Sequence, residues 1–142
     1  MKKLQKKKAL HVRLSWRLCK ALTNTGRREG RSPSAQAAYD LELIRPVVEE
    51  ETKYRITPEG LDLDPSTHEL KPCLALNSCD FFIERAQGLG LSTNQYVREL
   101  LWFVHERRMK VFKEHFPDNV VLLKEEFQKR IREHLKIRFT KV

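Results

Sequence analysis

The hydrophobic pattern of the chain opens with an alternation. In the run Ala9 to Ser15, Leu10, Val12 and Leu14 fall on one face and Ala9, His11 and Arg13 on the other, which predicts a half-buried strand with a polar outer face. The period then changes. Leu18, Cys19, Leu22 and Gly26 recur at helical spacing, the pattern of an amphipathic helix capped at its start by Ser15 and stopped at Gly30. Ser32 as N-cap, with Pro33 at the first helical position, predicts a second helix through Ala38 and Leu41 to about Ile44.

The pattern returns after a connector at 45–69. Leu70 to Asn77 reads as a strand, Ser78 to Leu89 as a helix and Gly90 as a stop. Ser92 then caps a further helix through Val97, Leu100, Leu101 and Val104, and Gln95 at the third position beyond it makes a capping box. Placing Gly90 on Gly30, an offset of 60, matches Cys19 with Cys79, Leu22 with Phe82, Ser32 with Ser92, Ala37 with Val97, Leu41 with Leu101 and Ile44 with Val104. This is an internal repeat, with units at 9–44 and 70–113. At that offset His11 and Arg13 map to Lys71 and Cys73. If Asn77 is instead the cap answering to Ser15, the offset is 62 and Arg13 maps to Ala75. In both registers the second strand lacks the arginine. Pro72 removes a backbone donor there, which a two-stranded ribbon tolerates at an edge or a strand end.

The connector holds Pro46, Pro58 and Pro65, the acidic run Glu49-Glu50-Glu51 and a polar cluster from Asp62 to Thr67. It reads as a solvated loop, with a brief strand over Thr52 to Ile56 ended by Pro58-Glu59-Gly60. The alternative is that its acids fold over the basic surface. Residues 114–142 follow as a C-terminal segment. After Pro117, Val120, Leu123, Phe127, Ile131 and Leu135 form one helical stripe, opposite Lys124, Glu125, Lys129, Arg132 and Glu133. Such a stripe reads as core packed against the helix after Ser92; the alternative is a partner-binding helix.

Charge sharpens this picture because it is uneven. Residues 1–31 hold 11 Lys and Arg against one acid, a balance of +10; residues 32–70 hold 3 against 9, or −6; residues 71–142 hold 14 against 9, or +5. A basic arm at 1–8 beside a polar strand points at a polyanion, since displacing counterions from phosphates drives non-specific affinity for DNA.

The basic strand ending Arg13-Leu14-Ser15, the apolar helix and the turn Gly30-Arg31-Ser32-Pro33-Ser34 resemble the ribbon-helix-helix DNA-binding proteins of the Arc and MetJ type, over about Ala9 to Ile44. The resemblance implies that units pair their strands into an antiparallel ribbon that enters the DNA major groove. With two units in one chain, the architecture is similar to the tandem ribbon-helix-helix proteins of conjugative and T-DNA transfer. The expected fold is therefore mainly α with a short two-stranded antiparallel β-ribbon: a tandem ribbon-helix-helix pseudo-dimer plus a C-terminal helix. A homodimer of first units is the competing assembly.

On that reading His11 and Arg13 contact base edges. Lys7, Lys8 and Lys71 contact phosphates. Ser32 and Ser34, with their counterparts Ser92, Thr93 and Asn94, clamp phosphates through positive helix ends, and Arg27, Arg28 and Arg31 add charge near the clamp. The expected partner is double-stranded DNA, bound sequence-specifically by a transcriptional repressor or a DNA-transfer or plasmid accessory factor. The alternative is an antitoxin-like or scaffold module whose C-terminal helix binds a protein partner. RNA fits less well, because Phe81, Phe82, Trp102 and Phe103 lie in helical patterns that predict core instead of a stacking platform.

Other classes find little support. His11, His68, His105, His115 and His134 are scattered, without an HExxH, a nucleophile elbow or a glycine-rich phosphate loop, so no enzyme and no cofactor are expected. Cys19, Cys73 and Cys79 form no CxxC and read as buried small hydrophobes, with no metal site. No run approaches a membrane span and the lysine-rich start lacks an apolar signal stretch, so a soluble, cytoplasmic protein is expected, and the resemblance implies a bacterial one, nucleoid- or plasmid-associated.

Overall fold

A computed structural model of the protein describes residues 6–50, 56–60, 64–115, 129–133 and 135. The fold is mainly helical with a small two-stranded antiparallel sheet. In chain order it comprises β1 (Lys7–Ala9), β2 (Val12–Ser15), α1 (Trp16–Glu29), α2 (Pro33–Glu50), β3 (Ser66–Leu70), β4 (Cys73–Ala75), α3 (Leu76–Gly88) and α4 (Thr93–His115).

β1 pairs with β4 and β2 with β3, both antiparallel. The register is the same in both, because Lys7 faces Ala75 and Val12 faces Leu70, five residues further along on each strand. The two pairings are thus one ribbon interrupted in its middle. Pro72 explains the break: it has no N–H to donate, and only its carbonyl joins the ladder, accepting from the Leu10 amide at 2.8 Å. A bulge between Leu14 and Ser15 ends the pairing where α1 begins.

One face of the ribbon is buried. Leu10, Val12, Leu14 and Leu74 join Leu18, Leu22, Leu41, Ile44, Phe82, Val97, Leu101 and Val104 in one core. Fully burying such a side chain is worth about 1.5–3 kcal/mol, so the alternation of β2 and the helical stripes cooperate. Phe82 and Phe103 are fully buried, and Phe81 and Trp102 are packed against the same cluster.

The two halves repeat at an offset of 60. Gly30 and Gly90 both take the left-handed conformation, φ 75° and 72°, at the turn between first and second helices. Ser15 caps α1, its Oγ accepting from the Leu18 amide at 3.2 Å, and the equivalent position before α3 is Ala75, which has no side-chain cap bond. Asn77 lies inside α3, so the register with Asn77 as cap does not occur. Ser32 and Ser92 cap α2 and α4 alike, accepting from the Ala35 and Gln95 amides at 3.2 and 3.1 Å.

Several expected boundaries move. α2 runs to Glu50, not Ile44, and carries Pro46 inside it. The helix continues because Val47 and Val48 are buried, and that burial offsets the lost hydrogen bond. The ribbon starts at Lys7 and its second strand at Ser66, so Ser66 to Glu69 belong to the sheet and not to the connector. Cys73 is exposed, not buried, because it stands on the outer face of the ribbon opposite Ala9; Cys19 is half-buried and Cys79 buried.

The connector is docked where it is described. Glu106 of α4 accepts from the Glu59 and Gly60 amides at 2.8 and 2.9 Å, and the Glu59 carboxylate meets Lys110 at 2.7 Å and Arg107 at 3.4 Å. Arg98 holds Ser66 Oγ and the Asp64 carbonyl, while Arg17 pairs with the Asp64 side chain at 2.7 Å. The described part is a strap over basic residues and not a free loop. The strand expected at Thr52 to Ile56 lies outside the described residues except for Ile56, which is buried. Of the C-terminal stripe, residues 129–133 and 135 are helical, with Ile131 and Leu135 in the core; Val120, Leu123 and Phe127 lie outside the described residues. Among the described residues no helix is long and apolar enough to cross a membrane.

Gly26 faces the turn that follows α1. A Cβ there would lie 2.4 Å from the Arg31 carbonyl oxygen, and the Arg31 amide donates to the Gly26 carbonyl at 2.7 Å. Gly26→Ala should therefore destabilise by about 1–3 kcal/mol despite the better helix propensity of alanine. Urea unfolding checks this; a variant as stable as wild type would show that the turn can retreat.

Candidate nucleic-acid interface

The outer face of the ribbon carries alternate residues of each strand. From the first strand these are Lys7, Ala9, His11 and Arg13; the register sets Ala75, Cys73, Lys71 and Glu69 against them. His11 faces Lys71, which lies 60 positions further along the chain, at the middle of the ribbon. The surface on either side of these two residues is unequal. On one side Arg13 stands opposite Glu69; on the other Ala9 stands opposite Cys73.

Glu69 is the residue that sequence reasoning missed. It fell inside the supposed connector, yet its Oε1 is 3.1 Å from His11 Nδ1. That hydrogen bond, reinforced by Lys71 and Arg13, holds its carboxyl below the usual carboxylate range. The alternation Thr67, Glu69, Lys71 against His68, Leu70 was the available signal, as was the length of the first strand, which needs a partner of equal length.

The starts of the second helices abut the ribbon on both strands. Asn94, at the second residue of α4, grips the backbone of Arg13: Oδ1 accepts from its N–H at 2.6 Å and Nδ2 donates to its carbonyl at 3.0 Å. Its counterpart Ser34 accepts from the Lys71 amide at 3.1 Å. Neither α2 nor α4 has an acid in its first turn, so the positive helix ends beside the ribbon are not neutralised locally. Ser32, Ser92, Thr93 and these two side chains are thus brought to the ribbon's flanks, with Asn94 committed to the strand. Lys71 lies at the ribbon's centre, on its outer face.

The three arginines around the α1–α2 turn do not gather there as one phosphate-facing group. Arg31 lies 3.8 Å above the Tyr39 ring, is ion-paired with Glu29 and reaches Gln36 Oε1 at 3.2 Å. Arg28 stacks over Phe112 at 4.5 Å. Burial and the neighbouring Arg108 lower its proton affinity, although it stays charged. Arg27 is exposed in a groove between α1 and α4. Lys7 and Lys8 are exposed and lie within β1, not ahead of it.

Beneath the ribbon α2 and α4 are joined by a buried ion pair. Arg108 Nη2 and Nη1 meet the two oxygens of Asp40 at 2.5 and 3.1 Å, with both side chains essentially inaccessible, and Gln36 adds a bond to Asp40 at 2.9 Å. Nearby, burial together with Arg108 and Arg28 pushes the half-buried His105 down to about 4. Its folded value lies below the unfolded one, near 6.5, so its contribution is complete above the unfolded value and is lost as pH falls through the folded value. Between pH 6.5 and 4 wild type should lose about 2 kcal/mol more than His105→Gln. Melting curves across that window test this, and parallel pH profiles would refute it.

No family model, curated protein or solved structure matches this chain, so the functional reading rests on the ribbon and its flanks.

Proposed function

We propose that the chain is a non-catalytic, sequence-specific double-stranded DNA-binding protein, a ribbon-helix-helix pseudo-dimer whose ribbon enters the major groove, and that it serves as a repressor or as a DNA-transfer or plasmid accessory factor. The observation that carries this reading is the ribbon itself. Strands from the two repeats pair in one register, present His11, Lys71 and Arg13 outward, and have an un-neutralised helix start against each strand. A two-stranded ribbon fits the major groove, arginine and lysine pair with guanine there, and a carboxylate such as Glu69 accepts from cytosine N4. Helix starts on both sides suit the phosphates that border the groove.

Pairing within one chain is supported by the buried ion pair. The counterparts of Asp40 and Arg108 in the repeat are Leu100 and Val48, both buried and apolar. A homodimer of first units would set Asp40 against Val48 of the copy and leave a buried carboxylate without its cation. That costs several kcal/mol, whereas the intrachain arrangement satisfies it.

Selection of bound fragments from a random duplex library at moderate salt tests the proposal. The expected result is an enriched motif without dyad symmetry, well specified on the side read by Arg13 and Glu69 and loose on the side of Ala9 and Cys73. A palindromic motif would overturn the single-chain ribbon. Salt-sensitive binding with no motif would overturn sequence reading.

A further inference from the structure

The repeat makes the outer faces of α1 and α3 geometric counterparts on opposite sides of the ribbon axis, yet their chemistry is opposite. α1 presents Lys20, Arg27 and Arg28, along a groove of about 690 Å³ against α4 whose lining, among the described residues, contains no acid. At the equivalent positions α3 presents Asp80, Gln87 and Gly88, with Glu84 where α1 has Asn24. Asp80 and Glu84 are exposed.

The apolar surface gives a second, independent observation. Among the described residues the exposed large hydrophobics are Trp16 at 54%, Leu76 at 41% and Leu89 at 37%. Trp16 opens α1, Leu76 opens α3 and Leu89 follows its end, so all three border the two faces in question. Each face thus combines an exposed apolar residue with outward helix charges of one sign, Lys20 and Arg27 against Asp80 and Glu84, while Arg17 at the groove's edge is already paired with Asp64.

We propose that the α1 face of one chain docks on the α3 face of a second copy, head to tail. Such a contact is heterologous: each docked copy leaves one face of each kind open, so the assembly extends into a row or closes into a ring instead of stopping at a dimer. Trp16 supplies the apolar anchor, with Lys20 at 4.9 Å from its ring. Asp80 and Glu84 of the next copy approach Lys20 and Arg27. Exposed charge pairs are weak and screened by salt, so the association is concentration-dependent and strongest at low ionic strength. It requires no DNA and stands apart from the ribbon's role.

Sedimentation velocity on the full chain at low and high salt provides the test. Wild type should associate with rising concentration at low salt and dissociate at high salt. Lys20→Glu with Arg27→Glu, and separately Asp80→Lys with Glu84→Lys, should each weaken self-association at least about tenfold, all four sites being exposed helix positions and their fold checked by circular dichroism. Combining the four changes restores wild-type net charge and should restore association, since the faces have merely exchanged signs. A wild type that stays monomeric at low salt overturns the proposal. So does association that survives either double variant, or a four-fold variant that folds but does not recover.

Discussion

Arg108→Met should lower the stability of the protein by about 3–5 kcal/mol, a large part of the total for a domain of this size. The methionine fills much the same space, so the loss is not chiefly a cavity. It arises because Asp40, fully inaccessible between α2 and α4, keeps Gln36 but loses both bonds from the guanidinium. Burial already pushes the Asp40 carboxyl up, against the pull of Arg108 and Gln36; without the cation it rises further and the carboxyl is driven to protonate. A folded value above the unfolded one makes the penalty small below the unfolded value, near 3.9, and complete once pH exceeds the folded value. The defect of Arg108→Met should therefore shrink in acid. Asp40→Leu together with Arg108→Met, which copies the apolar pairing at Leu100 and Val48, should recover most of the loss. Urea denaturation of the two single variants and the double variant at pH 7 and pH 4 reads all of this. Losses that simply add would show that the two groups are not coupled.

The ion pair also shows why parts of the fold were illegible in the sequence. Asp40 and Arg108 are 68 residues apart in the sequence, and only the crossing of α2 and α4 brings them together. Local signals carried far. The alternation of Leu10, Val12 and Leu14 gave the strand, glycine at Gly30 and Gly90 gave two helix stops, and serine at Ser32 and Ser92 gave two helix starts. Local signals failed where burial overrode them. Pro46 marks a helix end by its chemistry, yet Val47 and Val48 pull the next turn into the core. Ser66 to Glu69 look like loop residues and become strand because β2 leaves an unpaired ladder that they satisfy. For the same reason His11 and Arg13 were found as outward residues of the first strand, while Glu69, defined only by its cross-strand partners, was not.

Arg13→Ala should cost the preferred duplex about 1–3 kcal/mol, or roughly 5- to 150-fold in affinity, while leaving scrambled duplex almost unchanged. The substitution is unusually clean. Asn94 holds Arg13 by its backbone N–H and carbonyl, so removing the side chain leaves the strand and the start of α4 in place. Glu69 across the ribbon still accepts from His11, which keeps the opposite strand's outer face ordered. Lys8→Ala is the contrasting variant. Lys8 is exposed near the end of the ribbon and off the outer face that carries Arg13, so its loss should weaken every duplex alike and reduce the slope of affinity against salt by about one counterion. Titration of both variants against preferred and scrambled duplexes over a salt series separates the roles. If Arg13→Ala weakens both duplexes equally, the outer face of the ribbon attracts DNA without reading it, and the asymmetry between Arg13 and Cys73 has no part in recognition.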